Sequence, residues 1–182
     1  MKHTLMFAAA IALAGVSTHA AASGAFIRAE VGSADTEARY GGLRESDSDT
    51  SALFGGGYWF TPNIAVEGHA GTLYTEDLGY DTDFDLVTFG VGVALKHNFG
   101  SDGTGFFVGA RAGVARMVAQ IREDTFDVVD DEGSTKPYYG ATLGYDINRR
   151  WGLSLNYTRH RGEFSGIEVD VENVTVGGEF RF

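Results

Sequence analysis

Glu67 and His69 come nearest to a catalytic pair in this sequence. One residue separates them, so on a β-strand both side chains would lie on the same face, where a carboxylate and an imidazole can act together in acid–base chemistry. A hydrolase would also need a nucleophile, and Ser154, Ser165 and His160 are the residues available for a Ser-His-carboxylate arrangement. Their spacing does not indicate one, and His160 is expected to lie away from Glu67 and His69, which are nearer a short turn. We therefore predict no catalytic residues and no enzyme activity.

A second pattern with chemical potential is the triplet Asp81, Asp83 and Asp85, whose alternating carboxylates are typical of the start of a calcium-binding EF-hand loop. Such a loop needs a glycine at its sixth position and a glutamate at its twelfth, where this sequence has Leu86 and Gly92. The triplet is therefore not an EF-hand. We predict no metal ligands and no cofactor.

The charge distribution excludes a nucleic-acid partner. The chain has 14 Lys and Arg against 25 Asp and Glu, a net charge of −11, and no basic patch that could bind phosphates. Of the 25 acidic residues, 20 fall in four long connections or at their edges, at residues 33–51, 75–84, 120–137 and 159–173. Such connections form a hydrated surface, and they could attract divalent cations or ligands on a host or other surface.

Residues 1–22 have the three parts of a secretory signal peptide. Lys2 and His3 precede an apolar run over residues 5–16, which is too short to span a bilayer, and small residues follow as far as Ala22. No later window contains about twenty apolar residues, so a helical membrane protein is excluded. The predicted organisation is a cleaved signal peptide over residues 1–22 and one domain over residues 23–182.

Large apolar residues alternate with small or polar ones throughout the predicted domain. In residues 85–96, for example, Val87 and Phe89 lie on one face of a strand, and Thr88 and Gly90 lie on the other. The same pattern recurs in eight segments, which are residues 25–32, 52–60, 64–74, 85–96, 106–118, 138–147, 151–158 and 174–182. Segments of about ten residues suffice for tilted strands to cross the hydrocarbon. They predict an all-β fold, an eight-stranded antiparallel up-and-down transmembrane β-barrel.

The connections support a membrane barrel over a soluble one. Short connections at residues 61–63, 100–105 and 148–150 alternate with the four long ones, as in outer-membrane barrels whose short turns face the periplasm. The alternative is a soluble lipocalin-like barrel, which keeps its apolar face inside. That arrangement would bury charges such as Glu67 and Arg111 or leave a large aromatic surface in water.

Charged residues on the small-residue face are expected to point into the barrel and pair there. These residues are Arg28, Glu30, Glu67, His69, Lys96, Arg111, Glu179 and Arg181. An eight-stranded barrel is just wide enough for side chains to fill it, so a paired charge network would act as a plug. A narrow ion path through the network is the alternative.

Two segments resemble the OmpA/OmpX-type small outer-membrane β-barrel family. Residues 55–67 combine a glycine-rich strand, an aromatic pair, a Thr-Pro-Asn turn and Glu67 on the following strand, and residues 174–182 look like that family's closing strand. The resemblance implies that Phe180 and Phe182 form an assembly signal read by the barrel assembly machinery. It also implies export through the periplasm to the outer membrane of a Gram-negative cell.

The function expected from these features is that of a non-enzymatic integral outer-membrane protein, acting through acidic extracellular loops in envelope integrity or surface adhesion. Its expected surroundings are outer-membrane lipid and lipopolysaccharide, and its expected state is a monomer. The alternatives are a narrow, porin-like ion channel and a barrel enzyme that modifies lipid A.

Overall fold

Eight long strands make up the part of the chain that the computed structural model describes, which is residues 24–40, 43–79, 82–100, 103–123, 127–164 and 167–182. The predicted signal peptide lies outside these residues. The strands are β1 (Gly24–Tyr40), β2 (Leu43–Thr61), β3 (Ile64–Gly79), β4 (Thr82–Asn98), β5 (Gly105–Glu123), β6 (Asp127–Asp146), β7 (Trp151–Phe164) and β8 (Ile167–Arg181).

Each strand pairs antiparallel with its neighbours in sequence, and β1 pairs with β8, so the sheet closes into a barrel. This confirms the predicted fold class. Among the described residues, no helix is long and apolar enough to cross a membrane.

The two faces of the strands differ as the alternation predicts. Val91 and Val176 are among the outward-facing apolar side chains. Without lipid around the barrel, 61% and 60% of their surface is exposed. Leu53 and Trp59 of the second segment are large and apolar, yet they lie on the same face as the small residues Gly55 and Gly57, point inward and are buried. Trp59 packs against Phe26, with the ring centroids 5.8 Å apart. The bulky side chains of these positions therefore fill the interior instead of facing lipid.

The short turns are fixed by local hydrogen bonds. Between β2 and β3, the Thr61 hydroxyl accepts hydrogen bonds from the backbone N–H groups of Asn63 (3.2 Å) and Ile64 (3.0 Å). Where the chain enters β5, Gly103 and Gly105 have φ angles of 71° and 93°, which favour glycine because it has no Cβ. These turns hold the ends of the strands at the side of the barrel that also carries residues 24 and 182.

The four connections predicted as long loops are largely strand, which corrects that part of the prediction. β1 continues to Tyr40 and β2 starts at Leu43, so most of residues 33–51 belongs to one paired hairpin. The physical reason is that the backbone ladder of an antiparallel pair can continue beyond the lipid, where the outward face meets water and does not need apolar residues. The barrel therefore extends beyond the membrane as paired strands.

The outer part of the sheet separates along two seams. The pairing of β2 with β3 ends at Ala52 and Thr72, and that of β6 with β7 ends at Tyr139 and Arg159, although all four strands continue outward. Within the described residues, the outer part thus consists of two four-stranded sheets, β3-β4-β5-β6 and β7-β8-β1-β2. Each sheet contributes four side chains to one buried apolar cluster, and its members are Ala34, Leu53, Leu73, Tyr74, Leu86, Met117, Phe164 and Val171.

Candidate functional site: the barrel interior

The structure places the predicted interior charges inside the barrel, where they form hydrogen-bonded ion pairs. At the end nearest the short turns, the Asp146 carboxylate accepts hydrogen bonds from Lys96 Nζ (2.5 Å), Arg181 Nη2 (2.8 Å) and Asn98 Nδ2 (2.8 Å). Asp146 was not among the predicted network residues. Its inward position in the alternation of β6 was the signal that could have identified it.

Arg28 and Arg181 continue the network from one strand to the next. Arg28 Nη2 donates to Glu179 Oε2 (2.7 Å) and Arg28 Nη1 to Glu67 Oε2 (3.0 Å), joining β1 to β8 and β3. Arg181 Nε donates to the other Glu179 oxygen at 2.6 Å. The Glu67 carboxylate is thus bound by a cation from another strand. The Glu179 carboxylate is bound by one cation from another strand and one from its own.

A fourth cation, Arg111, pairs with Glu30 in the middle of the barrel. Arg111 Nη1 and Nη2 donate to the two Glu30 oxygens at 2.7 and 2.9 Å. Thr158 accepts hydrogen bonds from Arg111, and Thr175 donates to Glu30 at 2.9 Å. Such planar two-point pairing is the strongest geometry available to a guanidinium and a carboxylate.

The network is electrically balanced. Four cations, Arg28, Lys96, Arg111 and Arg181, face four carboxylates, which are those of Glu30, Glu67, Asp146 and Glu179. Buried charges are tolerated when each is paired and hydrogen-bonded, and removing one partner leaves an uncompensated charge. The arrangement fills the inner half of the barrel with side chains held by one another.

His69, the remaining predicted interior residue, lies beside His160, which corrects the expectation that the two are apart. Their Nε2 atoms are 3.5 Å from each other. The expectation was wrong because it compared positions along the chain only. β3 and β7 face each other across a narrow barrel, so inward residues on them meet in its centre.

Tyr138 packs against both histidines. Its ring contacts His69 edge-on, with centroids 4.9 Å apart, and stacks on His160 at 5.5 Å with an interplanar angle of 16°. The Tyr138 hydroxyl donates to Glu67 Oε1 at 3.1 Å. Glu67 is therefore engaged by Tyr138 and Arg28, and its bonds do not go to His69.

Three of the described serines form hydrogen bonds with partners other than the histidines. Ser51 donates to Asn173 (2.6 Å), Ser154 accepts from Asn156 (3.1 Å), and Ser134 accepts from the backbone of Glu163 (2.9 Å). Ser165 lies outside the described residues. Over the described part of the chain, no group of three or more His, Cys, Asp or Glu side chains could hold a metal ion.

The apolar cluster lies between the polar interior and the outside. Leu73, Met117 and Val171 are fully buried in it. Among the described residues, the cavities of the polar part include one of about 30 Å³ beside Lys96 and one of about 10 Å³ beside His69. Volumes of this size hold at most about two water molecules. The interior is thus closed by a charge network and then by an apolar layer.

On the outward-facing side of β7 and β8, charged residues follow the last of the exposed apolar residues. Arg159 and Arg161, beyond the outward Tyr157, each donate from Nε to Asp170 Oδ1 at 3.1 Å. Partial burial opposes ionisation of Asp170, but the hydrogen bond and charge of Arg159, with those of Arg161, outweigh it and lower the pKa of Asp170. Nearby, the hydrogen bond from Lys136 (2.8 Å) lowers the pKa of Glu163.

At the opposite end, aromatic side chains surround the last residues of the barrel. Trp151 and Phe180 lie 4.7 Å apart and Phe180 and Phe182 lie 5.2 Å apart, measured between ring centroids. Phe182 donates its backbone N–H to the Ala25 carbonyl (3.0 Å) and leaves its side chain 72% exposed. Phe180 and Phe182 therefore stand at the end of the outward apolar face, and their role in assembly stays a prediction.

Solved structures with the same architecture come from several bacteria. Neisserial surface protein A (NspA) is 17% identical, with 88% of this chain and 99% of that chain covered and a TM-score of 0.63. Ail, the attachment invasion locus protein of Yersinia pestis, solved with the heparin analogue sucrose octasulfate, is 14% identical over 87% and 99% of the chains, with a TM-score of 0.55. OprG from Pseudomonas aeruginosa is 16% identical over 88% and 97%, with a TM-score of 0.54. At these identities the likeness shows the fold alone.

Among curated proteins, none matches the chain. The family model described as "Outer membrane protein beta-barrel domain" matches residues 6–182. The resemblance drawn from residues 55–67 and 174–182 is thereby confirmed at the level of the family. The chain belongs to the outer-membrane β-barrel domain family, and the outer membrane is its location.

Proposed function

We propose that this protein is a closed, non-enzymatic barrel that acts through its outer surface, in adhesion or in the integrity of the envelope. The observation that carries the proposal is the double closure of the interior by the balanced charge network and by the apolar cluster outside it. A barrel filled in this way leaves its outer strands as the surface that can meet other molecules.

The closed interior counts against the alternative of an ion channel. An ion would have to displace Arg111 or Glu30 from a two-point pair and then pass fully buried side chains such as Leu73 and Met117. Both steps require a rearrangement of packed groups, because the cavities hold at most about two waters. We therefore expect no conductance under conditions in which the barrel stays folded.

The charge of the outer surface indicates which partners fit. Ail was solved with a heparin analogue, a polyanion. This chain has a net charge of −11 and exposes Asp47, Glu163 and Glu168 on its outer strands, so like charges would repel a polyanion. Cationic surfaces, or lipopolysaccharide phosphates bridged by divalent cations, are the partners that this charge favours.

Neutralising acidic side chains at the outer end tests this role. A variant combining Glu163→Gln, Glu168→Gln and Asp170→Asn should keep the gel mobility of a folded barrel but lose binding of cells to a cationic surface, or lose resistance to detergents. The matched control neutralises charges at the short-turn end, with Arg149→Gln and Arg150→Gln, both of which are exposed. Equal behaviour of the two variants in every assay would contradict an interaction role for the outer surface.

The two alternatives have direct tests. Planar-bilayer recordings of the purified barrel should remain closed across the voltage range, and regular single-channel steps would favour conduction instead. Mass spectra of lipid A from overexpressing cells should match those of cells without the protein, whereas a new lipid A species would establish enzyme activity.

Export is tested by N-terminal sequencing of the protein from the outer membrane, which should start near Ser23.

A further inference from the structure

The two seams of the outer sheet lie opposite each other, because the β2/β3 and β6/β7 interfaces are four interfaces apart in the ring of eight strands. The other strand interfaces stay paired much farther outward. The pairing of β1 with β2, for example, continues to Tyr40 and Leu43. The outer part of the barrel therefore consists of two opposed half-shells, β3-β4-β5-β6 and β7-β8-β1-β2.

Within the described residues, side chains and not backbone ladders join the two half-shells along the β2/β3 seam. The Thr75 backbone N–H donates to Asp49 Oδ2 at 3.0 Å, and the Tyr74 hydroxyl donates to Asp47 Oδ2 at 2.7 Å. The bond to Asp49 is exposed to water, which can replace it. This seam is thus held less firmly than a continuous ladder.

The β6/β7 seam is joined in the same way. The Glu163 backbone N–H donates to Ser134 Oγ at 2.9 Å, and Lys136 Nζ donates to Glu163 Oε2 at 2.8 Å. The side chains of Lys136 and Glu163 are 41% and 53% exposed, and exposed ion pairs contribute little to stability. Both seams therefore depend on a few side-chain bonds.

The backbone at the base of the β2/β3 seam has the geometry of a bend. The register of β3 against β4 shifts between Thr72 and Tyr74, so Leu73 is the extra residue of a β-bulge, and both Leu73 and Tyr74 are buried. Bulges bend the strand that contains them and are common at the rims of barrels. The last pair between β2 and β3 joins Ala52 to Thr72, so the bend lies where this ladder ends.

We propose that the two half-shells move apart along both seams, with the ends of the β2–β3 and β6–β7 ladders as hinges. The buried apolar cluster, to which each half-shell contributes four side chains, favours the closed form because opening brings it into contact with water. Met117 and Val171 are fully buried and belong to opposite half-shells, so they would separate. The open form presents apolar side chains to the outside, and the closed form buries them.

This movement leaves the charge network in place. Arg111 is in register with Gly140 of β6, and Glu30 is in register with Leu53 of β2. Both Gly140 and Leu53 are still paired across the β6/β7 and β2/β3 interfaces, so the network lies below the seams. Opening of the half-shells is therefore compatible with a barrel that does not conduct ions.

Cysteine labelling tests the proposal, because the chain has no cysteine of its own and label accumulates even from a rare open form. Val171→Cys introduces a thiol of similar size into the apolar cluster. Ala65→Cys is the control, because Ala65 is fully buried between paired strands of the inner half. With the barrel folded in detergent micelles and treated with a charged methanethiosulfonate, we expect the thiol at position 171 to react and the thiol at position 65 to stay unmodified.

Removing the seam bonds should speed the labelling at position 171. Asp49→Ala removes the acceptor of the Thr75 bond, and Ser134→Ala removes the acceptor of the Glu163 bond. Loss of one hydrogen bond of ordinary strength should raise the ratio of open to closed forms, and with it the labelling rate, by about 2- to 12-fold. Thr50→Ala, at an exposed position beside Asp49 on β2, is the matched control and should leave the rate unchanged. Gel mobility before and after heating reports folding.

Spin-label distances test whether the half-shells move as units. Asp35→Cys and Arg116→Cys place labels at exposed positions on the outer parts of β1 and β5, which belong to opposite half-shells. Ile27→Cys and Val108→Cys place them on the inner parts of the same two strands. In the variant that lacks both seam bonds, the outer pair should gain a longer distance, whereas the inner pair should keep a single one.

Two results would overturn the proposal. One is labelling at position 171 that is no faster than at position 65, or that does not increase when both seam bonds are removed. The other is faster labelling without a longer outer distance, which would mean that the cluster frays locally while the half-shells stay together. Neither result would affect the proposed role of the outer surface, which is measured by cell binding and detergent resistance.

Discussion

Arg111 and Glu30 are joined by two parallel hydrogen bonds, of 2.7 and 2.9 Å, that cross the barrel interior from β5 to β1. These strands lie opposite each other in the ring of eight, so the pair ties together two walls that share no backbone ladder. Thr158 and Thr175 occupy further bonding positions of the two groups. The pair therefore fixes the separation of opposite walls at mid-barrel.

Breaking this pair should destabilise the barrel strongly. In Glu30→Gln, Arg111 keeps its charge but loses the carboxylate that neutralises it, and loss of one partner of a buried pair costs about 3–5 kcal/mol. Urea titration of the barrel in lipid vesicles, followed by tryptophan fluorescence, would measure the change in unfolding free energy. The double variant Glu30→Leu/Arg111→Met, which buries no charge, should be less destabilised, and the opposite order of the two would show that the pair does not act in this way.

Gly113 should not tolerate even a methyl group. An added Cβ would meet the Val91 carbonyl oxygen on β4, and it would lie 2.6 Å from Gly92 Cα and 2.7 Å from Tyr138 Cε1, far inside the usual contact distance between carbon atoms. Gly113→Ala should therefore lower the unfolding free energy by about 1–3 kcal/mol, as overpacking of a core does. Gly178→Ala is the control, because nothing lies within 4 Å of the added atom. Similar stability of the two variants would mean that the β4 backbone and Tyr138 do not pack this closely against Gly113.

The carboxyl of Asp170 should titrate below its ordinary pKa of 3.8, in spite of partial burial, because Arg159 and Arg161 bind its ionised form. A carboxyl with a lowered folded-state pKa contributes stability above its unfolded pKa, and that contribution is lost as the pH falls from about 3.8 through the lower folded-state value. Carbon NMR titration should show the pKa rising in Arg159→Gln. Arg149→Gln, at the other end of the barrel, should leave it unchanged, and a shift of equal size in both would argue against the contact.

Phe182 should matter for insertion more than for any property of the outer surface. Its side chain lies next to that of Phe180 at the end of the outward apolar face. The resemblance to the family implies that these two residues form the assembly signal. Phe182→Ala should lower the amount of folded protein in outer-membrane fractions, measured by heat-modifiable mobility. Phe99→Ala removes another exposed aromatic ring near the short turns and is the control. Normal insertion of the Phe182 variant would contradict the assembly signal.

The alternation of the sequence was enough to predict eight strands and their inward faces, because lipid on one side and a filled interior on the other impose opposite requirements on neighbouring residues. It was ambiguous at Leu53 and Trp59, which are large and apolar yet fill the interior. It could not predict how far the strands run outward, since residues 43–51 are mostly polar on both faces. Backbone pairing, which the side chains there do not encode, extends the hairpin.

The candidate site was predictable residue by residue but not as an arrangement. The alternation placed Arg28, Glu67 and Arg111 on the inward face of their strands. Which cation faces which carboxylate depends on strand tilt and register across the whole ring. The contact of His69 with His160 joins strands four positions apart in the ring. A local sequence pattern does not indicate contacts between strands on opposite sides of the barrel. The two seams could not be predicted either. At each seam the backbone pairing of two neighbouring strands ends although both strands continue outward, and the side-chain alternation does not mark that point.

The hydrogen bonds from Arg28 to Glu179 also set a condition on how the barrel folds. These two residues are separated by 151 positions in the chain and come together where β1 meets β8. Contacts of such high sequence separation form late and make folding slow. A sheet that closes one residue out of register would turn one of these side chains toward lipid and leave the other without its partner. The ion pair thus discriminates against misregistered closure of the barrel.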